Sequence, residues 1–194
     1  MPYTFENSQT NVAGEAYEKL MDFCFAYGQY FALTFLHIRQ GIDPMDALEP
    51  YAFAAYRSQD ELWYPYGQEA TVRLYRCTPE SKRILQKQAD ALDQWEGYSH
   101  HNPEDLTFFR DDGSTLFSLV THESWTAIFD RPKEIVPDFV LQEWKTLKRV
   151  PDCAPVVWTA KYIGELTLSD GQKKFLRQVE LLNREKRKNP YRKR

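Results

Sequence analysis

The side chains best suited to chemistry fall in two short stretches: His100, His101, Glu104 and Asp105, then His122 and Glu123. Imidazoles beside carboxylates can pass protons or hold a metal ion. His122-Glu-Ser-Trp-Thr126 begins like an H-E-x-x-H zinc site, but Thr126 stands where the second histidine is needed. That site also requires two imidazoles one helical turn apart, whereas this segment has the alternation of a strand. Gly97-Tyr-Ser-His-His101 has the serine of a nucleophile elbow but His in place of the second glycine, and it follows a helical pattern where an elbow follows a strand. Neither a phosphate-binding loop nor a dinucleotide fingerprint is present. The expectation is therefore no metal and no cofactor. Two readings of the six residues stay open. In one, the intervening strands fold back and His100, His101, His122 and Glu123 form the patch of a hydrolase or nuclease. In the other, His100 and His101 sit in a polar loop, Glu104 and Asp105 form a solvated edge, and His122 is a strand-end residue bonded to backbone.

Which reading holds depends on the elements that carry these residues. Residues 106–129 give the clearest β signal. Leu106 to Arg110, Leu116 to Thr121 and Trp125 to Phe129 alternate as strands, and Asp111-Asp-Gly-Ser114 separates the first two. Asp-Gly between apolar alternations is a hairpin turn, because glycine accepts the positive φ the turn needs. A three-strand antiparallel meander is predicted. Upstream, Tyr17, Leu20, Cys24 and Tyr27 recur at helical spacing within residues 13–27, and Gly28 is a stop. Tyr30 to His37 reads as a strand buried on both faces. Asp43-Pro44 opens a short helix that Pro50 interrupts. Tyr51 to Gly67 lacks a period and reads as an aromatic loop. Thr71 to Arg76 alternates as a strand. Thr78-Pro79 is an N-cap and N1 pair for a helix predicted to run to Gly97. Val136-Pro137 opens another with Val140, Leu141, Trp144 and Leu147 inward, and Val156 to Ile163 is a last strand. Ser169 to Gln172 has the form of a capping box before a final helix with Phe175, Val179 and Leu182 as its stripe. Strands that cluster rather than alternate with helices predict an α+β fold: an antiparallel or mixed sheet with a central meander and helices mainly on one face. The organisation expected is one α+β domain over 1–172 and a basic helix and tail over 173–194.

Charge divides along the same boundary. Residues 1–130 carry 20 acidic and 9 basic side chains, and residues 173–194 carry 10 basic and 2 acidic. An acidic body attracts basic partners at long range and repels nucleic acid. The basic segment holds one aromatic, Tyr191, after Phe175, so it lacks the stacking residues of single-strand binders. Nucleic acid is thus not the expected partner, and the basic segment is its one point of entry. No apolar run spans a bilayer, no signal peptide is expected because residues 1–10 have neither a basic nor an apolar region, and Cys24, Cys77 and Cys153 are odd in number and far apart. These features predict a reduced, cytoplasmic chain with no membrane partner.

Three further segments carry a resemblance: Trp63-Tyr-Pro-Tyr-Gly67, Ala70-Thr-Val-Arg-Leu-Tyr-Arg-Cys-Thr-Pro-Glu-Ser81 with Trp95, and Pro103-Glu-Asp-Leu-Thr-Phe-Phe-Arg-Asp-Asp-Gly113 with Thr121-His-Glu123. Over roughly residues 15–130 the chain resembles small bacterial proteins similar to the immunity partners of secreted polymorphic toxins. The resemblance implies a non-catalytic protein that neutralises a protein toxin by covering its functional surface. It carries over no catalytic residue. Interfaces take most of their energy from a few aromatics, with charges at the rim setting the encounter rate. Trp63, Tyr64 and Tyr66 are accordingly the candidate anchors, and Glu61, Glu69, Glu104 and Asp105 the candidate rim acids for a basic toxin.

Overall fold

The computed structural model describes residues 3–8, 11–36, 45–58, 70–96, 102–147, 161–162 and 169–188. Its strands are β1 (Thr4–Asn7), β2 (Tyr30–Leu36), β3 (Ala52–Ser58), β4 (Ala70–Arg76), β5 (Glu104–Phe109), β6 (Thr115–Val120), β7 (Trp125–Phe129), β8 (Lys145–Leu147) and β9 (Lys161–Tyr162). The helices are α1 (Glu15–Tyr27), α2 (Pro79–Gln88), α3 (Asp138–Glu143) and α4 (Asp170–Lys188). The strands form one sheet in the order β8-β1-β7-β6-β5-β2-β4-β3-β9. Every pairing among the described residues is antiparallel. The fold is α+β, with the meander β5-β6-β7 at its centre as predicted.

β2 is buried on both faces, which is why its sequence is almost wholly apolar. Phe31 and Leu33 pack into the larger core with Leu20 and Cys24 of α1, Leu85 of α2, Val140 of α3, and Met45 and Leu48 around the 3-10 turn Asp46–Tyr51. Tyr30 and Ala32 face the other way, into a second cluster with Phe53, Leu74, Phe109 and Phe175 of α4. Three helices thus cover one face, and α4 is fixed to the other by Phe175, whose ring lies 4.4 Å from that of Tyr30. The boundary expected at residues 172/173 falls inside α4, whose first turns belong to the core.

The caps written in the sequence form as expected. Thr78 Oγ1 accepts from the Ser81 amide at 3.0 Å and Ser81 Oγ accepts from the Thr78 amide at 2.9 Å, with Pro79 at N1. Ser169 and Gln172 bond reciprocally ahead of α4. Gly28 ends α1, where a Cβ would stand 2.5 Å from the Cys24 carbonyl oxygen.

Three expectations are corrected and one strand is added, each by strand pairing. Ala52–Ser58, read as part of an aromatic loop, pairs with β4 from Ala52↔Tyr75 to Ser58↔Ala70. α2 stops at Gln88, because Ala91 bridges Ala13 and the Leu92 amide bonds the Val12 carbonyl at 3.0 Å. α3 stops at Glu143, because Lys145–Leu147 pairs with β1, which leaves Leu141 exposed rather than inward. β1 itself lacked a signal and is held between β7 and β8. Asp43-Pro44 lies outside the described residues, and the short helix expected after it is the 3-10 turn Asp46–Tyr51, which contains Pro50 rather than stopping before it. Most of the strand expected over 156–163 also lies outside the described residues, apart from Lys161–Tyr162.

At the predicted hairpin Gly113 has φ 83° and its amide bonds the Arg110 carbonyl at 3.1 Å, while the Arg110 amide bonds the Ser114 carbonyl at 2.9 Å. A β-branched residue resists that conformation. Gly113→Val is expected to lower unfolding free energy by ~1 kcal/mol or more, read from denaturant titration; an unchanged midpoint would count against this turn.

Candidate functional site

The segments that carry the candidate residues attach at one end of the sheet. There β2 and β3 end at Leu36 and Ser58, both opposite the first residue of β4, Ala70. β5 begins beside them, with Glu104 opposite Thr34. β6 ends at Val120 opposite Trp125, and the 3-10 turn Thr121–Glu123 joins it to β7. The hairpin whose connection is residues 59–69 therefore opens from the same end as the start of the meander. Glu61, Trp63, Tyr64, Tyr66 and Glu69, like His100 and His101, lie outside the described residues.

Glu104 and Asp105 do not form a solvated edge. They are only 3% and 6% exposed, because β5 is an interior strand between β2 and β6. They are not rim charges. Asp105 also has φ 56°. The register passes from Ala32↔Thr107 to Thr34↔Glu104, so two residues of β5 stand opposite one of β2. Such a bulge re-aims a side chain. Here the Asp105 carboxylate accepts from the Thr121 amide at 3.1 Å, and the Asp105 amide donates to Thr121 Oγ1 at 3.2 Å. Thr121 Oγ1 in turn donates to the Trp95 carbonyl at 2.7 Å, and Trp95 Nε1 donates to Tyr17 Oη at 3.0 Å. A buried polar chain thus runs from α1 through the segment after α2 to the β6-β7 turn. Asn102 adds a second link, accepting from Gln88 Nε2 at 2.5 Å and donating to the Gln94 carbonyl at 2.8 Å.

The structure brings Asp105 to the backbone of the turn that holds His122 and Glu123. It places His122 within a 3-10 turn, two residues beyond the end of β6, rather than at the strand end expected for it. Glu123 is exposed, and Ser124 follows in the left-handed region at φ 48°. Strained backbone held by surrounding bonds is typical of functional turns. The buried polar groups beneath are committed to structure. Burial pushes the Tyr17 hydroxyl up, against the Trp95 hydrogen bond, so it stays protonated. Burial likewise pushes the Cys24 and Cys77 thiols up, the two reinforcing each other at Cys24, so neither offers a thiolate. No cluster of metal-ligating side chains occurs among the described residues.

The opposite end of the meander holds a group that the sequence reading missed. Arg110 is buried and Glu134 partly buried, and Arg110 Nε and Nη2 meet the two Glu134 carboxylate oxygens at 2.5 and 2.6 Å. Beside them Asp112 accepts from the Ser114 amide at 3.0 Å and hydroxyl at 2.7 Å, and from Arg131 Nη1 at 2.7 Å. Partial burial raises the Asp112 pKa, but the two Ser114 bonds and Arg131 outweigh it and hold it at about 2.

No protein-family model, curated protein or solved structure gives a significant match to this sequence. No helix among the described residues is long and apolar enough to cross a membrane.

Two tests follow from the Arg110 end. Arg110→Met leaves Glu134 partly buried and unpaired and is expected to cost ~3–5 kcal/mol in denaturant unfolding, while Arg110→Met with Glu134→Leu costs clearly less; equal losses would refute the pairing. Asp112 is depressed in the fold, so its contribution is complete above about pH 4 and is lost as pH falls through about 2. Melting curves of Asp112→Asn are expected to fall less steeply over that interval than those of the wild type.

Proposed function

We propose that this chain is a non-catalytic immunity protein that binds a basic protein toxin in the cytoplasm and neutralises it by covering the toxin's functional surface. The observation that carries the reading is topological. The β3-β4 hairpin, whose connection contains Trp63, Tyr64 and Tyr66, opens from the same sheet end as the β6-β7 turn with its exposed Glu123. Aromatic anchors and a flanking acid on neighbouring connections suit a protein interface. The rim acids of this proposal are Glu61, Glu69 and Glu123, with Glu104 and Asp105 supporting the surface from beneath. The excess of acidic side chains over residues 1–130 favours a basic partner.

The hydrolase or nuclease reading needs an acid or base able to reach substrate. The Asp105 carboxylate is buried and engaged by the Thr121 amide, so that reading rests on His100, His101, His122 and Glu123 alone.

The test pairs the chain with a secreted-toxin domain whose gene directly precedes its own, an arrangement that the reading itself predicts. Co-expression is expected to restore growth, and Trp63→Ala or Tyr66→Ala to weaken binding by ~2 kcal/mol or more, about 30-fold, without a change in melting temperature. Reversing Glu61 and Glu69 together is expected mainly to slow association, and less so at high salt. If both aromatic variants lose stability while keeping full affinity, the interface lies elsewhere. Hydrolytic activity of the chain alone, lost in His122→Ala, would replace this proposal with the enzyme.

A further inference from the structure

We propose that the chain associates with a second copy of itself, the exposed cationic side of α4 seating on the acidic helical layer of the neighbour. The sheet separates charges of opposite sign. On one face, Glu18 of α1, Asp46 of the first 3-10 turn, and Asp138 and Glu143 of α3 are exposed, and none has an ion-pair partner among the described residues. The exposed cations within that layer are Lys19 of α1, which pairs with Glu15 and also feels the charge of Asp138, and Arg83 and Lys87 of α2.

α4 lies on the other face, held there by Phe175 against Tyr30, Phe53 and Phe109. Its Lys174 and Arg177 are exposed and unpaired among the described residues, while Lys173 stands 3.5 Å from Asp170. Lys174 and Arg177 are three residues apart and so share one side of the helix.

α4 cannot satisfy the acids of its own chain. Layers pack roughly 10 Å from a sheet on each side, and exposed charges separated by more than a Debye length of about 8 Å are largely screened. The complementary surface must come from another molecule, and every copy of this chain presents one. A single-stranded nucleic acid fits less well, because Phe175 is buried and the described exposed side of α4 offers no ring for stacking. Since the two complementary surfaces lie on opposite faces, the contact is head-to-tail and grows with concentration rather than closing as a dimer.

Sedimentation velocity of the full chain at rising concentration, in low and in high salt, tests this. The weight-average sedimentation coefficient is expected to rise with concentration at low salt and to be flat at high salt. Lys174→Glu with Arg177→Glu is expected to be flat at low salt with an unchanged melting temperature. Glu18→Lys with Asp46→Lys is expected to be flat as well, and mixing the two double variants restores association, because a negative α4 then meets a positive layer. A wild-type chain that stays monomeric at low salt overturns the proposal, and so does a mixture that fails to associate. Wild type that stays monomeric yet binds a short DNA duplex, with binding lost in the Lys174/Arg177 variant, assigns α4 to nucleic acid instead.

Discussion

Burying Arg110 constrains more of this fold than any other single interaction. A guanidinium has five N–H donors and no way to lose its charge. Nε and one Nη2 hydrogen reach Glu134, the Nη1 hydrogens reach Ser114 Oγ at 3.3 Å and the Thr115 carbonyl at 2.5 Å, and the last Nη2 hydrogen reaches the Phe129 carbonyl. The hairpin after β5, the end of β7 and the segment feeding α3 must all be in place for the charge to be tolerated. Glu134 also accepts from the Arg131 amide at 3.0 Å, which sets the turn before α3. A buried ion pair of this kind adds little net stability over an apolar substitute, yet it strongly penalises any arrangement that leaves one partner alone. Its effect is to select one packing of the meander against its neighbours.

What the sequence made legible was whatever short-range chemistry specifies. Gly113 announced its turn, Thr78-Pro79 and Ser169-x-x-Gln172 announced helix starts, and the apolar run of β2 announced burial on both faces. What it hid was set by partners far along the chain. β3 holds Ala52, Ala54 and Ala55, which give no apolar contrast, and it is a strand because β4 pairs with it. The last turns expected of α2 are lost to a bridge with Ala13. Lys145–Leu147 leaves a helical pattern because β1 offers an open edge, and β1 is itself too short to show a period. Propensity is a weak prior, and tertiary pairing overrides it where the competing hydrogen bonds are better.

The same limit explains the candidate site. Charged residues ahead of a strand are normally solvated, so Glu104 and Asp105 looked like a rim. Their burial follows from the position of β5 inside the sheet and from a one-residue bulge, neither of which has a sequence signal. Asp105 in the left-handed region is tolerated because its amide and carboxylate both bond Thr121. Asp and Asn adopt that region more readily than other non-glycine residues, so the residue type was compatible with the bulge without announcing it. The segments that the sequence grouped attach at one end of the sheet, where the meander and the β3-β4 hairpin have their connections.

The two ends of the meander thus differ in kind. At the hairpin end the charged groups are matched internally, Arg110 with Glu134 and Arg131 with Asp112. At the other end the buried polar groups hold up an exposed turn. Thr121 is fixed from two sides, by Asp105 and by the Trp95 carbonyl, and Trp95 is anchored through Tyr17 to the first turn of α1. A recognition surface built on such a turn loses little conformational entropy on binding, because the backbone is ordered beforehand. The fold therefore places its internal ion pair and the exposed β6-β7 turn at opposite ends of the same three strands. Under the proposed function, substitutions in the β6-β7 turn would alter what is bound without disturbing what holds the sheet together.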